Sequence, residues 1–239
     1  GGDPRAVSVR KETSALEPLQ ARGVMGLWYK RPMDLAILFA AHAFLLPIWL
    51  LIWLVVPPLI WLEDRGPIFY RQARFGVRGR PFLLWRFRSM VRDAEKVGAG
   101  WTADNDPRVT RIGRLMRRTA IDEVPQFLNI LRGDISFVGP RALPIEMHQD
   151  ATREEPRFPQ RLRVRPGLTG LAQVYLPRHC SPRRRLRYDL LYLGKVSLWL
   201  DIRLVLLSVR TTLTGKWGSD FRAPEDSPTG RKAGRERKT

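Results

Sequence analysis

Cysteine is nearly absent from the 239-residue chain. Cys180 is the only one, so no intrachain disulfide can form, and a reducing compartment is the natural expectation. Acidic residues are also scarce. Against 42 Lys and Arg stand 23 Asp and Glu, which leaves a net charge of +19 and a pI near 11.3. Such an imbalance favours polyanionic partners: nucleic acid, anionic lipid headgroups or phosphorylated substrates. No secretory signal is expected in the opening stretch, because the first ~30 residues are polar and interrupted by Gly and Pro. No internal repeat is visible. The length fits one domain, or one with attachments, and suffices to bury a core.

What the chain does have is a long uncharged run. Leu35 to Leu62 reads LAILFAAHAFLLPIWLLIWLVVPPLIWL, without one formally charged side chain. That exceeds the ~20 residues a membrane-spanning helix needs. Pro47 near its middle removes a helical hydrogen bond, and Pro57 and Pro58 are expected to interrupt the run again. Both flanks are basic, with Arg22, Lys30 and Arg31 before and Arg65, Arg71, Arg74, Arg78 and Arg80 after. A single span should carry its Lys/Arg excess on the cytoplasmic side only. Symmetric flanks fit a segment that dips in, bends at Pro47 and returns to the same face. A buried core helix would also be apolar, but Trp28, Tyr29, Trp49, Trp53 and Trp61 suit a bilayer interface. His42 within the run reads as a hydrogen-bonded structural residue. Four segments follow: polar 1–29, membrane 30–63, catalytic 64–214 and a disordered basic tail 215–239.

Beyond the run, residues 67–72 and 82–88 read as strands, with Gly76 and Gly79 at their connection. Alternation puts Trp85 and Phe87 on one face and Arg86 and Arg88 on the other. Those two arginines could bind phosphate or guard an exposed edge. Residues 91–98 read as a short helix, 101–106 as loop and Arg108 to Thr119 as a basic helix.

The densest chemistry lies at residues 115–141. Asp122 and Glu123 sit between Arg117 and Arg118 upstream and Arg132 and Arg141 downstream. In such a basic field the carboxylates are expected to keep a low pKa. Two acids beside several guanidiniums suit a phosphate that arrives with Mg²⁺, the acids holding the hard cation and the arginines the phosphate oxygens. Surface ion pairs at a helix start would give the same spacing. Asp122 is placed as the N-cap of a helix from Val124 to Leu131, with Pro125 in its first turn and Gly133 at its C-cap. A helix N-terminus offers N–H groups to an anion. Residues 135–138 read as a strand. Residues 161–174, RLRVRPGLTGLAQV, read as a turn that could cradle phosphate. Arg183, Arg184, Arg185 and Arg187 form either a solvated face or a headgroup patch, and Trp199 to Leu213 an amphipathic helix for the core or the interface.

Several stretches together carry a resemblance: Lys30-Arg31 with Asp34, the proline-broken run, GPIFYRQARFG, RFRSM, DPRVTRIGRLMRRTAIDEVPQFLNILRGDISFVGPR, RVRPGLTG with AQV, and YDLLYLGKVSLWLDI. In this order they cover most of residues 30–203, and the chain resembles the bacterial sugar transferases, the monotopic polyprenyl-phosphate phosphoglycosyl transferases. The resemblance implies an α/β fold: a mostly helical catalytic domain with a small antiparallel hairpin, a re-entrant membrane helix broken at Pro47, and interfacial amphipathic helices. It implies transfer of a sugar-1-phosphate from a UDP-sugar to undecaprenyl phosphate with release of UMP. Asp122 would be the nucleophile, and Asp122 with Glu123 would hold Mg²⁺. Arg86, Arg88, Arg117, Gln126, Asn129, Arg141 and Asp189 would bind substrate. The implied place is the cytoplasmic side of the bacterial inner membrane, with phospholipids as partners and self-association left open. Nucleic acid is not an implied partner, since a nucleic-acid-binding protein would explain the charge but neither the apolar run nor the acid pair. A non-enzymatic membrane scaffold would explain the run and flanks only.

The chain departs from the family pattern at some positions. Leu46-Pro47 stands where Ser-Pro is frequent, Ala142 where a second proline is usual, Leu171 where Trp is common, and Tyr175-Leu176-Pro177 where Asn-Gly is frequent. The last two leave the donor sugar open. Larger members carry extra N-terminal spanning helices, so this chain is expected to be a minimal or shortened one.

Overall fold

The computed structural model describes residues 28–94, 106–177 and 180–214. The polar N-terminal segment but for its last two residues, half of the helix expected at 91–98, the loop at 101–105 and the basic tail lie outside them; the described half, residues 91–94, forms a turn rather than a helix.

The apolar run forms two helices, α1 (Lys30–Phe44) and α2 (Leu46–Asp64), separated at Leu45. Pro47 falls in the first turn of α2, where a helix has no use for its missing N–H. Leu45 N donates to Ala41 O at 3.0 Å and Trp49 N to Leu45 O at 2.8 Å, so the hydrogen-bonded chain passes the break with one residue out of helical conformation. Pro57 and Pro58 do not interrupt α2, contrary to expectation; the helix continues to Asp64. Among the described residues, α2 is the one helix long and apolar enough to cross a membrane. Its Leu50, Leu51, Leu54 and Leu62 are exposed, as are Phe39 and Phe44 of α1. His42 Nδ1 lies 2.7 Å from Leu38 O and its ring stacks on Trp49, the structural role expected of it.

Both ends of this pair are fastened to the rest of the protein. At the start of α1, Lys30 Nζ pairs with Asp201 at 3.0 Å and reaches Val138 O and Tyr192 Oη, each at 2.6 Å. Arg31 donates to the carbonyls of Ile130 and Leu131, and Asp34 accepts from Ser136 Oγ and Phe137 N. At the end of α2, Asp64 pairs with Arg88, while Glu63 accepts from the N–H groups of Arg111 and Ile112.

Strands β1 (Phe69–Phe75) and β2 (Pro81–Phe87) form the expected antiparallel hairpin. Their turn, Val77–Gly79, places Gly79 at φ 72, where a side chain would be strained. Tyr70 pairs with Arg86, Gln72 with Leu84 and Arg74 with Phe82, so these six share one face. On the other, Phe69 stacks with Phe87 and Arg71 lies over Trp85.

Helix α3 runs Arg111–Thr119, starting three residues later than the pattern predicted, because Thr110 caps it by accepting from Gly113 N. Gly113 also lets the helix approach the chain after β2, since a Cβ there would lie 2.0 Å from Ser89 O. A 3-10 turn, Ile121–Gln126, leads into α4 (Phe127–Arg132), and Gly133 at φ 85 closes it by donating to the Asn129 and Ile130 carbonyls. Strand β3 (Ser136–Val138) pairs in parallel with β4 (Gly167–Thr169), a strand where a turn was expected. Between them lies α5 (Ile145–Glu154); after them come α6 (Leu171–Tyr175), α7 (Pro182–Lys195) and α8 (Leu198–Thr214). Val138, Val164, Val174, Tyr192 and Leu204 form one buried cluster. A second joins Val56 and Ile60 of α2 to Phe87 and Met116, so the apolar helix packs directly on β2 and α3. Helix α8 buries Leu204 but exposes Leu198, Trp199, Ile202, Leu206 and Val209.

Candidate active site

The site forms where α3 ends. Ala120 terminates that helix in the left-handed conformation, at φ 57, which an alanine adopts at a cost of roughly 1–2 kcal/mol. The chain then turns sharply, and Asp122 and Glu123 come to face β2. Asp122 is therefore not an N-cap: it lies inside the 3-10 turn, makes no capping bond, and its position is fixed by a strand 36 residues earlier. Arg86 Nη1 donates to Asp122 Oδ2 at 3.1 Å and Arg86 Nη2 to Glu123 Oε1. One guanidinium thus spans both acids. Arg141 Nη2 stands 3.6 Å from the same Glu123 oxygen.

The two carboxyls do not ionise alike. Burial raises the Asp122 pKa, and Glu123 adds repulsion that Arg86, Arg117 and Arg141 only partly offset, so it stands at about 6. This corrects the low value expected of Asp122; the same expectation holds for Glu123. At Glu123 burial acts in the same sense, but Arg86, Arg141 and Arg74 outweigh it and hold the group down at about 2. Burial thus favours the neutral form of Asp122, while the surrounding arginines favour the charged form of Glu123.

The pair lies on the wall of an open cleft of about 1940 Å³, also lined by Arg74, Arg86, Arg117 and Arg141. That is larger than the ~300–1,000 Å³ of a usual small-molecule pocket. Arg117 is steadied by its Nε, which donates to Ser89 Oγ at 2.8 Å. Arg118 is exposed on the cleft, whereas Arg132 lies away from the acids over the Trp85 ring.

The other expected residues divide. Arg88 lines the cleft, yet its Nη2 grips Asp64 and approaches Ile60 O at 3.4 Å. Gln126 is buried at a small crevice of about 10 Å³ behind Glu123, shared with Arg74, Arg86 and Arg141. That is room for roughly one water, and Nε of Arg74, Nε of Arg86 and Nε2 of Gln126 have no acceptor among the described residues. Asn129 and Asp189 do not join the acid pair. Asn129 is fully buried, accepts from Trp85 N at 3.0 Å and donates to Leu83 O at 2.8 Å, thereby holding β2 against α4. Asp189 pairs with Arg161 at 2.7 Å, with both side chains almost wholly buried. It is not among the residues lining the cleft.

Arg74 is the residue that sequence reasoning passed over. It is buried on the hairpin face that carries Arg86, donating to Ala142 O and, at 2.8 Å, to Gln72 Oε1. Burial, then Arg86 and Arg141, push its pKa well below the ordinary arginine value. Extending the strand alternation from Arg86 across to β1 would have found it.

Asp122 and Glu123 give two hard oxygen donors on an open wall, and Arg86 engages one oxygen of each. Mg²⁺ is usually held by one or two carboxylates, with water and substrate phosphate completing its shell, so this donor set fits it. Among the described residues no group of three or more His, Cys, Asp or Glu side chains is gathered for a metal.

Comparison with known proteins adds the family. Residues 25–215 match bacterial sugar transferase. The chain is 39% identical over 189 residues to the UDP-N-acetylgalactosamine-undecaprenyl-phosphate N-acetylgalactosaminephosphotransferase of Aeromonas hydrophila, an overlap of 78% of this chain and 44% of that protein. It is 39% identical over 199 residues to the exopolysaccharide production protein PSS of Rhizobium leguminosarum bv. phaseoli, over 80% of this chain and 98% of that one. With the UDP-glucose:undecaprenyl-phosphate glucose-1-phosphate transferase of Escherichia coli (strain K12) it shares 40% over 154 residues, or 62% of this chain and 33% of the other. It thus spans under half of two of these relatives and nearly all of the third. The chain belongs to the bacterial sugar transferase family.

Proposed function

We propose that the protein transfers a sugar-1-phosphate from a UDP-sugar to undecaprenyl phosphate in two displacements. Asp122 attacks the β-phosphorus of the donor. The bond from that phosphorus to the bridging oxygen breaks, UMP leaves with the electron pair, and an aspartyl-phosphosugar remains. An oxygen of the lipid phosphate then attacks the same phosphorus, Asp122 departs as carboxylate, and polyprenyl-diphosphate-sugar is formed. Covalent catalysis of this kind replaces one hard displacement by two easier ones.

The observation that carries the reading is one guanidinium, Arg86, bound to two adjacent carboxyls on the wall of an arginine-lined cleft. A nucleophilic carboxylate should be basic enough to attack phosphorus and still be ionised at working pH. Asp122, at about 6, is roughly nine-tenths ionised at pH 7. Arg117 and Arg141 flank the pair and can take phosphate oxygens as charge moves to the leaving group. Bound Mg²⁺, held by Asp122 and Glu123, would neutralise diphosphate charge. The cleft is large enough for donor and lipid phosphate to meet at one wall.

Attachment of both ends of the apolar pair to one body supports the re-entrant reading: the chain leaves and returns on the same side, with the break at Leu45 and Pro47 in the turn that follows it. Exposed Leu and Trp on α2 and α8 support seating at a bilayer, here assigned to the cytoplasmic face of the inner membrane. The name of the Rhizobium relative, an exopolysaccharide production protein, supports a role in polysaccharide assembly. A panel of UDP-sugars with undecaprenyl phosphate tests the reading through UMP release. At least one donor should yield UMP and a lipid-linked sugar in equal amounts. No release from any of them would reject the reading.

A further inference from the structure

The last turn of α2 touches both halves of the site from outside it. Glu63 Oε1 accepts from Arg111 N at 2.6 Å and Oε2 from Ile112 N at 3.3 Å, across 48 and 49 residues. These are the first N–H groups of α3, where a carboxylate also meets the positive end of the helix. That helix already has a local cap in Thr110, so Glu63 is not needed to start it. What Glu63 adds is attachment. Nine residues on, the same helix delivers Ala120, Asp122 and Glu123. The neighbouring Asp64 Oδ1 accepts from Arg88 Nη2, and Ile60 O from the same nitrogen at 3.4 Å. Arg88 follows Arg86 by two residues on the chain that leaves β2. Gly66 leaves space for this grip, since a Cβ there would lie 1.8 Å from Arg88 Nη1.

We infer that Glu63 and Asp64 are positioning residues: one helix end holds α3 and the end of β2 together, and so sets the register between Arg86 and the Asp122–Glu123 pair. The inference rests on the proposed function in taking that pair as the reacting one. Apolar α2 is thereby tied mechanically to the chemistry, since whatever seats it moves both carriers of the site.

The test compares wild type, Glu63→Gln, Asp64→Asn and the double variant in nanodiscs. Backbone hydrogen exchange is read over 111–123 and around Arg86, with kcat and donor KM measured beside it. Loss of a cap-strength attachment should speed exchange by about fivefold to thirtyfold, at residues 120–123 as well as at 111–112. The kcat should fall about tenfold or more through misalignment, with KM for the UDP-sugar unchanged. Faster exchange confined to 111–112, with kcat unaltered, would overturn the inference by making Glu63 a local cap. Exposed Glu63 tolerates substitution, so its single variant decides if the double one does not fold. Should wild type transfer no sugar at all, the proposed function fails, while exchange at 120–123 still decides the attachment.

Discussion

Replacement of Arg86 by glutamine removes the positive charge that spans the acid pair and keeps a polar side chain. The guanidinium lies 3.1 Å from Asp122. At an effective dielectric near 20, opposite unit charges at that distance attract by about 5 kcal/mol before solvation is counted. A neighbouring arginine in practice lowers an Asp pKa by about 1–3 units. Losing about two units of support moves Asp122 from about 6 to about 8. Its ionised share at pH 7 then drops from about nine-tenths to about one-tenth. The sign is fixed, because the carboxylate is the reacting form and a higher pKa moves the acid limb of the rate upward. Arg86→Gln should therefore release UMP about tenfold more slowly at pH 7 and regain most of that factor near pH ~9. Arg86→Lys restores charge without the two-pronged geometry and should return the limb toward its original place. Single-turnover UMP release across pH is the assay. A uniformly slower variant with an unmoved acid limb would refute the view that Arg86 keeps Asp122 ionised.

Other outcomes follow from the same geometry. Activity should vanish in EDTA and return with Mg²⁺, and Glu123→Gln should be strongly impaired, because an amide binds the cation poorly; full turnover in EDTA would remove the metal from the mechanism. Asp189→Asn should lower stability by about 3–5 kcal/mol in thermal unfolding, since Arg161 is left charged and buried; a raised donor KM at unchanged stability would instead make Asp189 a substrate contact. Single cysteines at positions 22 and 80 should both label from the cytoplasmic side, and labelling from opposite faces would reject the re-entrant path.

Local signals were legible in the sequence and distant ones were not. The hairpin followed from alternating residues around Gly76 and Gly79, the end of α4 from Gly133, and the acid pair among arginines from its spacing alone. Each depends on neighbours within a few positions. The N-cap assignment of Asp122 failed because a short polar residue before an apolar run reads as a cap whether or not the helix has begun. Here Ala120 turned left-handed and the chain entered a tight 3-10 turn instead. The pKa of Asp122 was misjudged because counting nearby arginines omits burial. Asn129, Asp189 and Arg88 look polar and available in sequence. Asn129 has one near partner in Asp134, but its contacts with Leu83 and Trp85, like those of Asp189 with Arg161 and Arg88 with Asp64, join distant parts of the chain that only folding brings together.

The central claim is that Asp122 becomes covalently bonded to the phosphosugar. Wild-type protein given a UDP-sugar without lipid acceptor, quenched rapidly and weighed intact, should gain the mass of one phosphosugar on the peptide that contains Asp122. UMP should appear in a burst no larger than the enzyme present, and Asp122→Asn should show neither adduct nor burst. An unmodified mass at every time point, with sequential rather than ping-pong initial rates, would mean that the lipid phosphate attacks the donor directly and that Asp122 is not the nucleophile.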